Sequence, residues 1–181
     1  MPYYWACVDM SVLQKLLALM ILKSAPQNLP YSLQLAVLLA VAYIISGIVV
    51  LQTTLNPDDM LGGIILGFIV QYIFTYFVLR AVNKEARFVQ TFSAMLAVGF
   101  LFNLLSWPVF ALLTDESITE SLKSSMSLAF LLIISWEVLV KAHIFRHALE
   151  MKMFGALALS FSLFFLTVVL SQLLFPVEGV K

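Results

Sequence analysis

The chain has 181 residues, 62% of them hydrophobic and only 11% charged, with 10 basic and 10 acidic side chains that cancel. Soluble domains average about 45–50% apolar and about 25% charged, so a soluble fold of this length is excluded and a bilayer must solvate the excess apolar surface. Neutrality excludes the basic footprint of a nucleic-acid binder, and the single cysteine, Cys7, excludes an intramolecular disulfide.

Residues 1–10 (MPYYWACVDM) carry no Lys or Arg, and no small-residue cleavage site follows them, which argues against a cleaved signal peptide. Residues 1–9 read as an extension with little structural role. Met10 to Lys23 (MSVLQKLLALMILK) reads as an amphipathic helix. At helical spacing Ser11, Gln14, Lys15 and Ala18 share a narrow face, Leu and Met fill the rest, and Asp9 or Ser11 stands at the capping position. Such a helix reaches only about 21 Å at 1.5 Å per residue, too short to cross, so it is expected to lie at the cytoplasmic interface. The rival reading tucks it against the bundle. SAPQNLP (Ser24 to Pro30) then ends it, because proline cannot continue a helix. Residues 1–30 thus form a cytoplasmic N-terminal segment, and residues 31–181 a transmembrane domain.

Five apolar runs follow, at 31–51, 60–79, 88–113, 126–145 and 153–175, each near the roughly 20 residues a crossing helix needs. TTLNPDD (Thr53 to Asp59), RAVNKEAR (Arg80 to Arg87), TDESITESLKSS (Thr114 to Ser125) and RHALEMK (Arg146 to Lys152) separate them. The predicted fold is an all-α polytopic membrane protein of five transmembrane helices plus the interfacial helix. No internal repeat is visible, and an odd helix count argues against an inverted duplication. Lys15, Lys23, Arg80, Lys84, Arg87, Lys141, Arg146 and Lys152 fall on the N-terminal side, and only Lys123 and Lys181 fall opposite. The positive-inside rule then predicts a cytoplasmic N-terminus and a C-terminus across the membrane.

Polar residues at membrane depth are the candidates for chemistry. Gln71 is near the middle of the second span, Asn103 past the middle of the third, and Glu137 and Lys141 on the fourth; Ser160, Ser162 and Thr167 dot the fifth. Ionisable groups inside a bilayer are expensive and face the bundle interior or a wet cavity. Glu137 and Lys141, four apart, share a helix face and can neutralise each other. Gln71, Asn103, Glu137 and Lys141 are therefore a candidate polar pathway. The bland alternative is a set of packing hydrogen bonds with Lys141 snorkelling inward.

His143 and His147 are also four apart, with Glu150 beyond, but HIFRH lacks the Glu of HExxH. No metal site and no cofactor is expected. Arg146, His147 and Lys152, with Arg80, Lys84 and Arg87 on the neighbouring loop, are the candidate contacts for anionic lipid or a cytoplasmic partner. Gly63 and Gly67 form GxxxG, read first as packing within the chain and second as a homodimer face. Gly155, Ala158 and Ser162 offer another small-residue face. Trp107 beside Pro108 reads as an interface anchor with a kink, and Trp136 as packing. The Ser-rich loop has no His on its face, so serine-triad chemistry is unsupported.

The layout resembles the Yip1-domain family of five-span membrane proteins. KSAPQNLP is similar to that family's proline-bearing lead into the first span. RFVQTFSAMLAVGFLFNLLSWPVF resembles its third-span region, and SWEVLVKAHIFRHALEMKMFGALAL its fourth span, turn and fifth span. The resemblance covers about residues 11 to 175 and implies the same cytoplasmic N-terminus and short far-side tail. The DLYGP-type motif and long N-terminal region of eukaryotic members are not in this sequence, which looks closer to the short bacterial members. The vesicle-traffic role of the eukaryotic members does not carry over, and neither do any catalytic residues.

The function expected first is non-enzymatic: an adaptor or accessory subunit in a bacterial inner membrane, meeting lipids and a membrane-protein partner or a second copy of itself. The alternative is a small transporter or channel component built around Glu137. A lipid-active enzyme using His143, His147 and Glu150 is the third.

Overall fold

The computed structural model describes the backbone of residues 3–52, 57–115 and 117–175, and the side chains of 12–50, 52, 61–115 and 117–175. Six α-helices follow in order: α1 (Tyr3–Met20), α2 (Leu33–Gln52), α3 (Pro57–Ala81), α4 (Phe88–Leu113), α5 (Glu120–Leu149) and α6 (Met153–Leu174). Short 3-10 turns occupy Pro26–Asn28 and Glu85–Arg87, and there is no strand among the described residues. Helices α2 to α6 are long and apolar enough to cross a membrane, in agreement with the hydropathy pattern.

Helix ends depart from the apolar runs. α5 begins at Glu120, inside the stretch read as a loop, and continues to Leu149. Hydropathy marks the part of a helix that lipid covers, whereas ESLKSS holds enough helix formers to extend the backbone past that part. Its serines bond back to their own turns: Ser125 Oγ donates to the Ser121 carbonyl at 3.0 Å, and Ser127 Oγ to Lys123 at 3.0 Å. α3 similarly starts at Pro57, because proline at the first helical position sacrifices an N–H that has no partner there. The rest of the predicted turn, residues 53–56, lies outside the described residues.

The five spans close into a ring. α2 packs on α3 and α4, α4 on α5, α5 on α6, and α6 on α3. α4 is the most enclosed: every residue from Thr91 to Gly99 is buried, so this half has protein on all sides. Its later half exposes Leu104, Leu105 and Trp107, as lipid-facing surface does. The α3–α4 seam is aromatic. Tyr72 meets Phe88 and Phe92 edge-on at 5.1 and 5.3 Å, and Phe68 meets Phe92 at 5.6 Å. Such pairs contribute about 0.5–1.5 kcal/mol each beyond their burial.

α1 is attached to this bundle. Leu16 and Leu19 enter the core, while Leu13, Leu17 and Ile21 form an outward apolar row one turn apart. The helical backbone extends back to Tyr3; Cys7, Asp9 and Ser11 lie among residues whose side chains are outside the described set. Leu22, in the left-handed region at φ 60°, stops the helix, and the Lys23 N–H closes the end on the Ala18 carbonyl at 2.8 Å. The following segment is strapped across the ends of α4 and α5. The Trp136 indole N–H donates to the Met20 carbonyl at 3.1 Å, and His143 Nε2 lies 2.9 Å from the Ser24 carbonyl. Gln27 Nε2 donates to the His147 carbonyl at 2.6 Å, and Gln90 Nε2 to the Leu29 carbonyl at 2.8 Å. These bonds pair backbone carbonyls and hold the segment to the bundle. Trp136, half exposed, thus tethers α1 in addition to packing.

Candidate functional site

At the centre of the ring is a cavity of about 250 Å³. Gln71 of α3, Asn103 of α4, and Glu137 and Lys141 of α5 all line it. All four residues of the candidate polar pathway therefore come together. α2 adds Tyr43, and α6 adds Ser160 and Thr167. Every spanning helix contributes a wall.

Glu137 and Lys141 are held by α5 itself. One turn apart on the cavity face, they pair with Lys141 Nζ 2.7 Å from Glu137 Oε1. Their side chains are 26% and 17% exposed, so the pair borders the cavity space instead of being sealed in packing. In a low-dielectric setting neither charge is tolerable alone, and the pair is neutral as a unit.

The other walls are pinned by hydrogen bonds. Asn103 Nδ2 donates to Ser46 Oγ at 3.0 Å, and Ser46 Oγ donates to the Tyr43 carbonyl at 2.9 Å. This links α4 to α2 and is the packing role the bland reading allotted to Asn103. Ser160 Oγ, buried, donates to the Val138 carbonyl at 2.7 Å and ties α6 to α5. Thr167 Oγ1 spends its proton on Leu163 of its own helix at 2.9 Å.

Tyr43 is placed by a glycine. A Cβ on Gly99 would stand 2.7 and 2.9 Å from ring carbons of Tyr43, so only glycine lets this ring lie against α4. Its hydroxyl faces Gly67, where a Cβ would sit 3.8 Å from both that oxygen and Thr167 Cγ2. Gly67 therefore keeps cavity space open. Gly63, the other half of GxxxG, has nothing within 4 Å of such a Cβ. The motif is thus no close helix seam in this chain.

Gln71 is the least satisfied wall group. It is 3% exposed, and its amide nitrogen has no hydrogen-bond partner. Leaving a buried amide unmet costs about 1–3 kcal/mol, so the side chain has capacity to bind something in the cavity.

The basic loops divide. Lys84 and Arg87 turn onto the end of α5. Lys84 Nζ donates to the Leu149 carbonyl at 3.0 Å and to Glu150 Oε2 at 2.7 Å. Arg87 donates to the Ala148 carbonyl at 3.1 Å and to Glu150 Oε1 at 2.6 Å. Two cations so placed satisfy terminal carbonyls and complement the helix dipole. They also hold Glu150 in the left-handed region at φ 57°. The Lys84 hydrogen bond, followed by that of Arg87, pulls the Glu150 carboxyl below its usual range. Arg80 stands 3.9 Å from Glu85, and Arg146 and Lys152 are exposed. Lys141 belongs to the cavity, which leaves seven of the eight basic residues for the N-terminal side of the bundle.

The His143 and His147 rings meet edge-on at 4.4 Å, but His143 is engaged by Ser24 and Glu150 by Lys84 and Arg87. Among the described residues, no three His, Cys, Asp or Glu side chains gather as a metal would need. A larger apolar groove of about 460 Å³ lies between α3 and α6, lined by Phe74, Phe77, Leu166 and Leu170 among others. It carries no polar side chain.

Tyr43, Ser46 and Gly99 were not anticipated as site residues. Their only sequence signal is a polar-tipped aromatic and two small residues inside apolar runs, which spacing along one helix does not connect. Comparison with protein-family models, with curated proteins and with solved structures returns no match for this chain.

Proposed function

We propose that the chain is a non-enzymatic integral membrane protein that takes up a small polar solute at the centre of its helix ring, as a small transporter or channel component. One observation carries this reading: polar side chains from all five spanning helices converge on one cavity at membrane depth. Ionisable side chains inside a bilayer mark pathways and binding sites, and Glu137 and Lys141 are two of them. The space equals roughly eight waters at about 30 Å³ each, room for a small solute. The proposal puts the protein in a bacterial inner membrane with its N-terminus in the cytoplasm, on the strength of its basic loops, and retains the Yip1-like layout.

The test is osmotic swelling of proteoliposomes, followed by light scattering against glycerol, methylammonium acetate and γ-aminobutyrate. Entry of at least one solute above empty liposomes is expected. Gly67→Leu, which fills the cavity, should abolish that entry while the purified variant stays monodisperse. No entry of any solute would overturn the reading.

An adaptor role is the second reading, favoured by Arg80, Arg146 and Lys152, which are exposed at one end of the bundle. Lys84 and Arg87 are occupied in capping α5, which shrinks the surface that role would use.

A further inference from the structure

The geometry points to a zwitterion as the solute: a small molecule carrying one ammonium and one carboxylate. This rests on the reading of the cavity as a solute site. Glu137 and Lys141 present opposite charges one turn apart at the cavity wall. Gln71 adds an amide with an unmet nitrogen. A lone cation would have to displace Lys141 from Glu137 and leave a surplus positive charge at membrane depth. A lone anion would do the reverse with Glu137. Both cost the desolvation of an unpaired charge. A neutral solute leaves the ion pair closed and gains only the Gln71 hydrogen bond.

A zwitterion escapes both limits. Its ammonium takes the place of Lys141 Nζ against Glu137, and its carboxylate takes the place of Glu137 against Lys141. One ion pair becomes two, and the cavity stays neutral throughout. The carboxylate can also accept from Gln71 Nε2, since the amide is able to turn either end toward a ligand. Hydrogen bonds between charged partners are about twice as strong as neutral ones, which favours this exchange over hydration of the cavity. Volume restricts the class to solutes of roughly eight waters or less, at about 30 Å³ per water.

The full chain in detergent is titrated with γ-aminobutyrate, with methylammonium and acetate as analogues of its two ends, and with glycerol, by calorimetry up to roughly 10 mM. γ-Aminobutyrate should bind at least about tenfold more tightly than any of the other three, the loss expected when one charged contact is missing. Glu137→Gln and Lys141→Met should each weaken it by about tenfold or more, and Gln71→Leu by less. The exchanged pair, Glu137→Lys with Lys141→Glu, keeps the i,i+4 ion pair and guards against simple misfolding. It should retain binding. Equal binding of glycerol, methylammonium or acetate, or no binding of γ-aminobutyrate, overturns the inference. Glycerol entry into proteoliposomes without preference for the zwitterion sinks the inference and leaves the transport reading. Binding of the zwitterion without its entry does the opposite.

Discussion

Gly99 offers a sharp test of how the cavity is built. A methyl added there would lie 2.7 Å from Tyr43 Cε2 and 2.9 Å from Cδ2, whereas carbon atoms rest at about 3.5–4.0 Å. The ring must retreat by roughly 1 Å, and overpacking of this kind costs about 1–3 kcal/mol. Alanine in a helix also returns up to about 1 kcal/mol of propensity, so a single melting temperature would be ambiguous. Gly67→Ala supplies the control. Its methyl would sit at 3.8 Å from Tyr43 Oη and Thr167 Cγ2, ordinary contact, with the same propensity gain. The difference between the two variants isolates the collision: Gly99→Ala should be less stable than Gly67→Ala by about 1–3 kcal/mol. At about 2–4 °C per kcal/mol, intrinsic-fluorescence melts in detergent resolve it. Adding Tyr43→Ala to both should erase the gap, because the collision partner is gone. Equal melting of the two single variants, or a gap that survives Tyr43→Ala, would refute the placement of the ring.

Other outcomes follow from the same geometry. Lys141→Met alone should destabilise the protein more than Glu137→Gln with Lys141→Met, because only the first strands a carboxylate at membrane depth; the single variant should lose up to about 3 kcal/mol by chemical denaturation. Ser160→Ala removes the α6–α5 hydrogen bond to Val138 and should cost about 0.6 kcal/mol, in the range measured for interhelical bonds in membranes. Because the Glu150 carboxyl is held below its ordinary value, its contribution is complete above the normal carboxylate range and is lost as pH falls through the lowered value. Melts taken from neutral pH downward should show an acid loss that is diminished in Glu150→Gln.

The five spans were legible because a bilayer demands a length of apolar residues that nothing else in the chain imitates. The pairing of Glu137 with Lys141 was legible because helical spacing alone puts them on one face. Gln71 and Asn103 were found by their cost in lipid, a signal that needs no knowledge of neighbours. Tyr43 and Gly99 escaped because their contact depends on the relative height of α2 and α4, which no single helix encodes. The capping of α5 by Lys84 and Arg87 escaped for a similar reason. Those cations are more than sixty residues from the carbonyls they serve, and a basic loop read by itself looks like a lipid or partner surface. α5 ran beyond its apolar stretch because helix propensity, unlike hydropathy, continues through ESLKSS.

The decisive measurement is thiol reactivity on two neighbouring positions of α6. Thr167 lines the cavity, and Val169, 50% exposed, faces outward on the same helix at nearly the same depth. In a Cys7→Ser background, Thr167→Cys and Val169→Cys are each treated with a water-soluble methanethiosulfonate in native membranes. Only a thiol in contact with water ionises and reacts. A polar cavity open to solvent predicts reaction at 167 at least about tenfold faster than at 169. An inert cysteine at 167, or equal rates at the two positions, would contradict a hydrated site at the heart of the ring.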